Sequence, residues 1–282
     1  MNIYIVIPAH NEEAYISKTL QSLAEQTLLP KKIMVVNDNS SDNTQNVVDS
    51  FSKKYNFIQS VFITSEDKHV PGSKVINAFT KGLERLDDNY DILCKFDADL
   101  LFPKEYLEFI ASTFNLNPKC GIAGGFCYIE NNGKWVLENL TSKDHIRGAL
   151  KAYRKDCFDQ INGLKNTMGW DTIDELLAQY HGWKIKTEAS LHVKHLKPTG
   201  ASYTRESKYK QGEAFYKMRY GFLLTEIASV KLALKKNSFR FYLDCIQGFK
   251  KARKNKIPYA VSEEEGKFIR NLRWKNIKSK LF

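Results

Sequence analysis

Four short apolar runs, spaced by segments long enough for a helix, constrain this chain more than any other feature of its sequence. Ile3 to Ile7 (IYIVI), Ile33 to Val36 (IMVV), Ser60 to Ile63 and Asp91 to Phe96 (DILCKF) are brief and rich in β-branched or aromatic residues. The first two have no polar alternation, which fits strands buried on both faces, as in a parallel sheet. Between the runs, residues from about Glu12 to Gln26 place Ile16, Leu20 and Leu23 on one helical face. A second helix carries Val47, Val48 and Phe51, and a third covers about Lys74 to Leu86. Crossovers of that length are what βαβ units need. Residues 1–115 therefore predict an α/β fold with a doubly wound sheet.

In such sheets ligands bind beyond the carboxyl ends of the strands. Three polar motifs fall there: AHNEE after the first run, NDNSSD after the second and DAD after the fourth. Asp97 and Asp99, two residues apart in a short extended turn, can face one hard divalent cation such as Mg2+ or Mn2+. Such a metal would bridge a diphosphate and neutralise charge on a departing nucleotide. Asp38 suits a base N–H or a ribose hydroxyl, and equally an Asx turn or helix cap. Pro8, Ala9, His10, Asn11 and Glu12 bring backbone groups and one carboxylate to the same end.

The middle of the chain, 116–200, reads as mixed. Gly121 to Tyr128 (GIAGGFCY) predicts a strand with close backbone approach at Gly124 and Gly125. Asp171 to His181 is helical, with Asp171, Asp174 and Glu175 spaced to share a face, and Trp183 to Thr187 is a short strand. His192 and His195 follow, and a neutral imidazole there can complete a metal's coordination.

Among the 282 residues, 43% are hydrophobic and 27% charged, which excludes global disorder. The net charge of +11 is uneven: residues 201–282 hold 20 Lys+Arg against 7 Asp+Glu, whereas residues 1–200 hold 23 against 25. A basic, mostly helical segment of this kind favours an anionic partner. From Lys208 to Leu234, Tyr209, Phe215, Tyr216, Met218, Tyr220 and Phe222 recur at helical spacing. They read either as a face toward a membrane surface or lipid-linked acceptor, or as packing of the tail on the rest of the chain. Nucleic acid is not expected, because acidic strand ends would repel phosphates. The five cysteines form no C-x-x-C pair. Neither a signal peptide nor a membrane-spanning run is visible. The expectation is a cytoplasmic chain, peripheral on the inner face of the cell membrane if the basic segment engages lipid.

Taken in order, Pro8-Ala9-His10-Asn11-Glu12-Glu13, Val36-Asn37-Asp38-Asn39-Ser40-Ser41-Asp42 and Phe96-Asp97-Ala98-Asp99 resemble the serial signature of family 2 glycosyltransferases. The resemblance covers at least residues 1–200. It implies a GT-A type, Rossmann-like mixed sheet flanked by helices, with a nucleotide-binding half over 1–115, an acceptor half over 116–200 and a helical appendage over 201–282. It also implies an inverting enzyme that uses a nucleoside-diphosphate sugar, UDP most commonly, with Mg2+ or Mn2+. The acceptor would be a hydroxyl in surface polysaccharide, lipopolysaccharide or glycolipid synthesis. Pro8 to Glu12 and Asp38 would hold the nucleoside. Asp97, with Ala98 beside it, would lie near ribose and metal, Asp99 would be the principal metal ligand, and His195 a further ligand or diphosphate contact. Lys74 matches a basic position that touches base or phosphate. The family's catalytic base belongs to an E-D-like motif before a G-[aromatic]-[KR]-[IV] strand. Here the matching stretch is Gly169-Trp170-Asp171-Thr172-Ile173-Asp174-Glu175, before Gly182-Trp183-Lys184-Ile185. Trp170 replaces the first acid, which leaves Asp171 as the base, with Asp174 and then Glu175 behind it. The loop from Lys197 to Tyr203, with Arg205, has the composition of a lid over phosphates. Other readings are a nucleotidyltransferase, disfavoured because PAHNEE stands where a Gly-rich phosphate loop belongs, and a non-catalytic binding module, for which the missing acid leaves room.

Overall fold

The computed structural model describes residues 1–65, 73–138, 144–197 and 208–279. Its first half is the expected alternation: β1 (Ile3–Ala9), α1 (Ile16–Ala24), β2 (Lys32–Asp38), α2 (Thr44–Lys54), β3 (Ile58–Ile63), α3 (Ser73–Leu83) and β4 (Ile92–Phe96). These four strands lie in the order β3-β2-β1-β4, all parallel. Ile3 to Ile7 are buried throughout, as are Ile33, Val35, Val36 and Ile92 to Phe96. Helices on both faces exclude water from β1 and β4, which is why their sequences show no polar alternation.

One boundary moves. The first helix begins at Ile16 rather than Glu12, because the amides of Tyr15 and Ile16 turn back onto the Glu12 carbonyl while residues 11–13 bond to side chains of the β2–α2 loop. Those contacts hold residues 10–13 out of the helix and keep them at the carboxyl end of β1.

Beyond β4 the sheet becomes mixed. It comprises β5 (Leu100–Leu101), β6 (Cys120–Asn131), β7 (Lys134–Leu137), β8 (Leu150–Arg154) and β9 (Lys184–His195), with α4 (Tyr106–Leu116), α5 (Lys155–Gln160) and α6 (Trp170–Tyr180) between them. The order β3-β2-β1-β4-β8-β6-β9-β5, with β7 beside β6, makes nine strands. β8 runs antiparallel to β4 and β6, while β9 runs parallel to β6 and antiparallel to β5. β9 continues well past Thr187, because it pairs along β6 and then with Leu100 and Leu101. Gly125 sits at an irregularity in that pairing. A Cβ there would meet the Leu191 carbonyl oxygen at 2.4 Å, so the close approach expected of this glycine is real.

Residues 208–279 form α7 (Lys210–Lys217), α8 (Gly221–Lys235), α9 (Phe239–Lys254) and α10 (Glu263–Lys278). Gly212 and Gly248 let α7 and α9 cross closely: an added Cβ would lie 1.8 Å from the Cys245 carbonyl oxygen or 2.1 Å from that of Tyr209. Phe215, Tyr216, Met218 and Tyr220 point into this packing and are buried, and Phe222 is exposed. Most of the tail's aromatic series thus packs the tail on the rest of the chain, not toward a surface.

Candidate active site

The loops after β1 and β2 are latched to each other. Asn11 and Asn39 have positive φ (54° and 53°), a conformation asparagine tolerates better than most residues. The Asn11 amide donates to Ser40 Oγ (2.9 Å), and its side-chain oxygen accepts from the Ser41 amide (2.8 Å). The Glu12 amide donates to Thr44 Oγ1 at 2.8 Å, and His10 Nδ1 lies 2.6 Å from the Asp38 carbonyl oxygen. Pro8 is half-buried, Ala9 buried, and His10 and Asn11 exposed. The Asp38 carboxylate is already engaged: it accepts from the Ser65 amide (3.0 Å) and hydroxyl (2.8 Å) at the end of β3. It therefore braces the β2 and β3 ends, and any nucleoside contact must share it.

The D-x-D turn follows β4. Thr19 of α1 grips its backbone, donating to the Ala98 carbonyl (2.7 Å) and accepting from the Leu100 amide (3.0 Å). Asp97 pairs with the buried Lys95 and keeps about a third of its side chain (34%) in solvent. Asp99 is buried, and its Oδ1 has no hydrogen-bond partner among the described residues. The pairing of Leu100 with His195 brings the end of β9 alongside, with the Leu196 amide on the Asp99 carbonyl (2.9 Å). His195 Nε2 consequently lies 3.4 Å from Asp99 Oδ2, and its Nδ1 lies 3.1 Å from Glu138 Oε2. Burial opposes the charged imidazole, but those two carboxylates outweigh it and push His195 up to about 9. A metal ion would have to displace that proton, since only neutral imidazole ligates.

Glu12 closes this group. Its Oε1 is 3.2 Å from Lys197 Nζ, and its Oε2 is buried without a partner among the described residues. Burial raises its carboxyl, and the nearby Asp99 raises it further. The Asp99 carboxylate, with the His195 imidazole at 3.4 Å and the Glu12 carboxylate close enough to feel its charge, offers oxygen and nitrogen donors of the kind Mg2+ or Mn2+ takes. Cys127, Glu138 and His195 also offer ligand atoms within 4.8 Å of one another. Burial, however, lifts the Cys127 thiol to about 12, so it is no ready thiolate. Glu138, which also pairs with Arg147, was not foreseen from sequence; nothing in GKWVLEN marks it.

The acidic cluster of α6 divides. Asp174 and Glu175 are buried in a polar net with Lys151 of β8, Tyr153 and His145. Lys151 Nζ lies 2.7 and 2.9 Å from the Asp174 oxygens and 3.1 Å from Glu175 Oε1. Tyr153 donates to Asp174 at 2.5 Å, and Glu175 accepts from the Ile146 amide (2.9 Å) and sits 2.9 Å from His145 Nδ1. Burial raises Asp174 against the pull of Lys151, whereas Lys151 and His145 lower Glu175 against its own burial. Asp171 differs: its side chain is 32% exposed, with His145 Nε2 at 3.5 Å. Burial would raise its carboxyl, but His145 and Lys151 prevail and bring it down to about 2. Trp170, where the first acid is missing, is buried between two ammonium groups, Lys95 at 5.4 Å and Lys151 at 6.0 Å from the ring centroid. It joins the D-x-D turn to α6 through cation–π contacts. Each lysine stands inside a largely apolar strand, where a charge must find a buried partner, but the local sequence does not say which partner.

Two sequence candidates stand apart. Lys74 lies half-buried in the first turn of α3, without a hydrogen bond to the other candidates among the described residues. Of the expected lid, only Lys197 is described; Pro198 to Tyr203 and Arg205 lie outside the described residues.

Residues 4–167 match the sequence profile of "Glycosyl transferase family 2". The chain belongs to that family. Among curated relatives, this family 2 chain is 33% identical over 147 residues to "Probable glycosyltransferase YdaM" of Bacillus subtilis, covering 51% of this chain and 34% of that one. It is 30% identical over 198 residues to poly-beta-1,6-N-acetyl-D-glucosamine synthase of Staphylococcus epidermidis, covering 65% and 45%. The match thus spans less than half the length of these relatives. Among solved structures, S. aureus TarS (residues 1–349) in complex with UDP-GlcNAc superposes with a TM-score of 0.58 at 18% identity, covering 83% of this chain and 67% of that one. Mannosyltransferase PcManGT of Pyrobaculum calidifontis, in complex with GDP-Man and Mn2+, gives 0.55 at 14%, covering 100% and 81%. At those identities the likeness shows the fold, which is GT-A type.

Proposed function

We propose that this chain is an inverting glycosyltransferase that moves a sugar from a nucleoside diphosphate to a saccharide or lipid-linked hydroxyl in surface polysaccharide, lipopolysaccharide or glycolipid synthesis. The observation that carries the reading is the pair of buried oxygens without a partner among the described residues, Asp99 Oδ1 and Glu12 Oε2, at the carboxyl ends of the parallel strands, with His195 against Asp99. Asp99, with Asp97 and His195, would hold Mg2+ or Mn2+, which would supply charge neutralisation for the leaving diphosphate. Pro8 to Glu12, Asp38, Lys74 and the Asp97–Ala98 turn receive the nucleotide; the UDP-GlcNAc bound by TarS favours a uridine donor. The poly-N-acetylglucosamine synthase relative favours a growing saccharide as acceptor.

Asp171 is assigned as the base. It is the one acid of the α6 cluster that reaches solvent, while Lys151 and Tyr153 enclose Asp174, and His145 and Ile146 hold Glu175. Its low carboxyl pKa keeps it ionised. It therefore accepts the hydroxyl proton only as the new C–O bond forms and the oxygen turns acidic. Attack from the face opposite the nucleotide breaks the anomeric C–O bond, and the diphosphate leaves with that electron pair. Residues 1–115 serve the donor and 116–200 the acceptor, with 201–282 an appendage.

Thermal stability with UDP, GDP, dTDP and CDP, each with and without Mn2+, tests the donor site. A shift with one nucleotide only when metal is present is expected; no shift with any of them would sink the reading.

A further inference from the structure

Helix α8 is apolar on two faces, and among the described residues only one of them is covered. Leu224, Thr225, Ser229 and Ala233 are buried against the rest of the helical segment. Leu223, Ile227, Val230 and Leu234 recur at spacings of four, three and four, so they share the opposite face, and all four are exposed. Leu234 and Phe239, at the turn into α9, are 76% and 74% exposed, and Leu243 follows one helical turn later. An exposed apolar row of this length is costly to leave in water and marks a contact surface.

The charges around the row say what that contact is. From Ile227 to Leu243 the charged residues are Lys231, Lys235, Lys236 and Arg240, all exposed, with no acidic residue among them. The flanking acids are engaged: Glu226 accepts from Tyr242 at 2.8 Å, and Asp244, next to Leu243, lies 3.4 Å from Lys208 Nζ. A second protein surface would need acids to meet these cations, whereas an anionic bilayer presents a negative interface over an apolar interior. No helix of the described residues is long and apolar enough to cross a membrane, so contact of this element with a bilayer would be along its surface.

We propose that the α8–α9 hairpin docks this chain on anionic membrane surfaces, with Leu223, Ile227, Val230, Leu234 and Phe239 entering the acyl boundary and Lys231, Lys235, Lys236 and Arg240 contacting lipid headgroups. The aromatic series that suggested membrane contact in the sequence is mostly buried; the surface that provides it is the aliphatic row. The inference is independent of the transferase reading, because lipid binding is read without substrate.

The test is flotation of the full chain with phosphatidylglycerol–phosphatidylcholine vesicles and with phosphatidylcholine alone. Binding to the first, weakening with salt, is expected. Leu234→Glu with Phe239→Glu should reduce that binding by about tenfold or more, since exposed apolar anchors become anions. Both positions are exposed, so the thermal unfolding midpoint and the nucleotide-induced shift should stay as in the parent. Lys231→Gln with Lys235→Gln should lower binding less and flatten the salt dependence. Absence of binding to anionic vesicles, or binding unchanged by the paired Glu substitutions, overturns the proposal. So does a dimer in solution that those substitutions dissolve, which would make the row an interface between copies.

Discussion

Two acidic clusters stand at the same end of the sheet, and they are built on opposite terms. Around the D-x-D turn, Asp99 and Glu12 each keep a buried oxygen without a partner among the described residues, and a protonated His195 lies between Asp99 and Glu138. On α6, Asp174 and Glu175 have their oxygens met by Lys151, Tyr153, His145 and backbone amides. Buried polar groups are normally satisfied, so an orphan marks either a cost or a site awaiting its ligand. The saturated cluster positions α6, and the unsatisfied one is the proposed seat of the metal and diphosphate. Asp171 belongs to the first by sequence, and its 32% exposure is the ground for proposing it as the base.

The sharpest break in that comparison is Lys151→Met. It strands two buried carboxylates, and losing one partner of a buried ion pair costs about 3–5 kcal/mol. Urea unfolding should show it, and a midpoint near the parent's would mean the net is not structural. Next comes Asp171→Asn. Nucleotide and Mn2+ should still raise the melting temperature, while turnover falls by about a hundred- to ten-thousandfold. Full turnover would return the base to Asp174 or Glu175. Asp99→Asn should leave the fold intact and abolish the metal-dependent shift, a loss of about 2.7 kcal/mol at a hundredfold ligand excess. The smallest effect is one of pH. Burial opposes the charged form of His145, but Asp171 and Glu175 raise it to about 9. A raised histidine stabilises fully below its unfolded value near 6.5 and loses that contribution as pH climbs through about 9. The stability of the parent should therefore decline over that window more than that of His145→Gln, and equal slopes would show that His145 carries no charge there.

Short apolar runs place β1 to β4 and the helices between them; those of β1 and β2 are unbroken because the strands are buried on both faces, whereas β3, at the sheet edge, is partly exposed. The same logic puts the polar motifs at strand ends. Lys151, His145 and Glu138 were not legible as site residues, since each acquires its role from a partner far away in sequence: Glu138 meets His195, and Lys151 meets Asp174. Trp170 read as a missing acid and proved to be the ring packed between two lysines.

What the sequence determined by itself is local: the runs that became β1 to β4, the helices between them and the polar side chains at the strand ends, whereas β5, β7 and β8 and several boundaries were not read from it. Those runs, helices and strand ends follow from spacing and from the chemistry of neighbours along the chain. Only the tertiary structure decided which acids remain unsatisfied and which are paired, and which apolar face of α8 is covered. Burial and partnership depend on elements brought together across the sheet, and no local pattern encodes them.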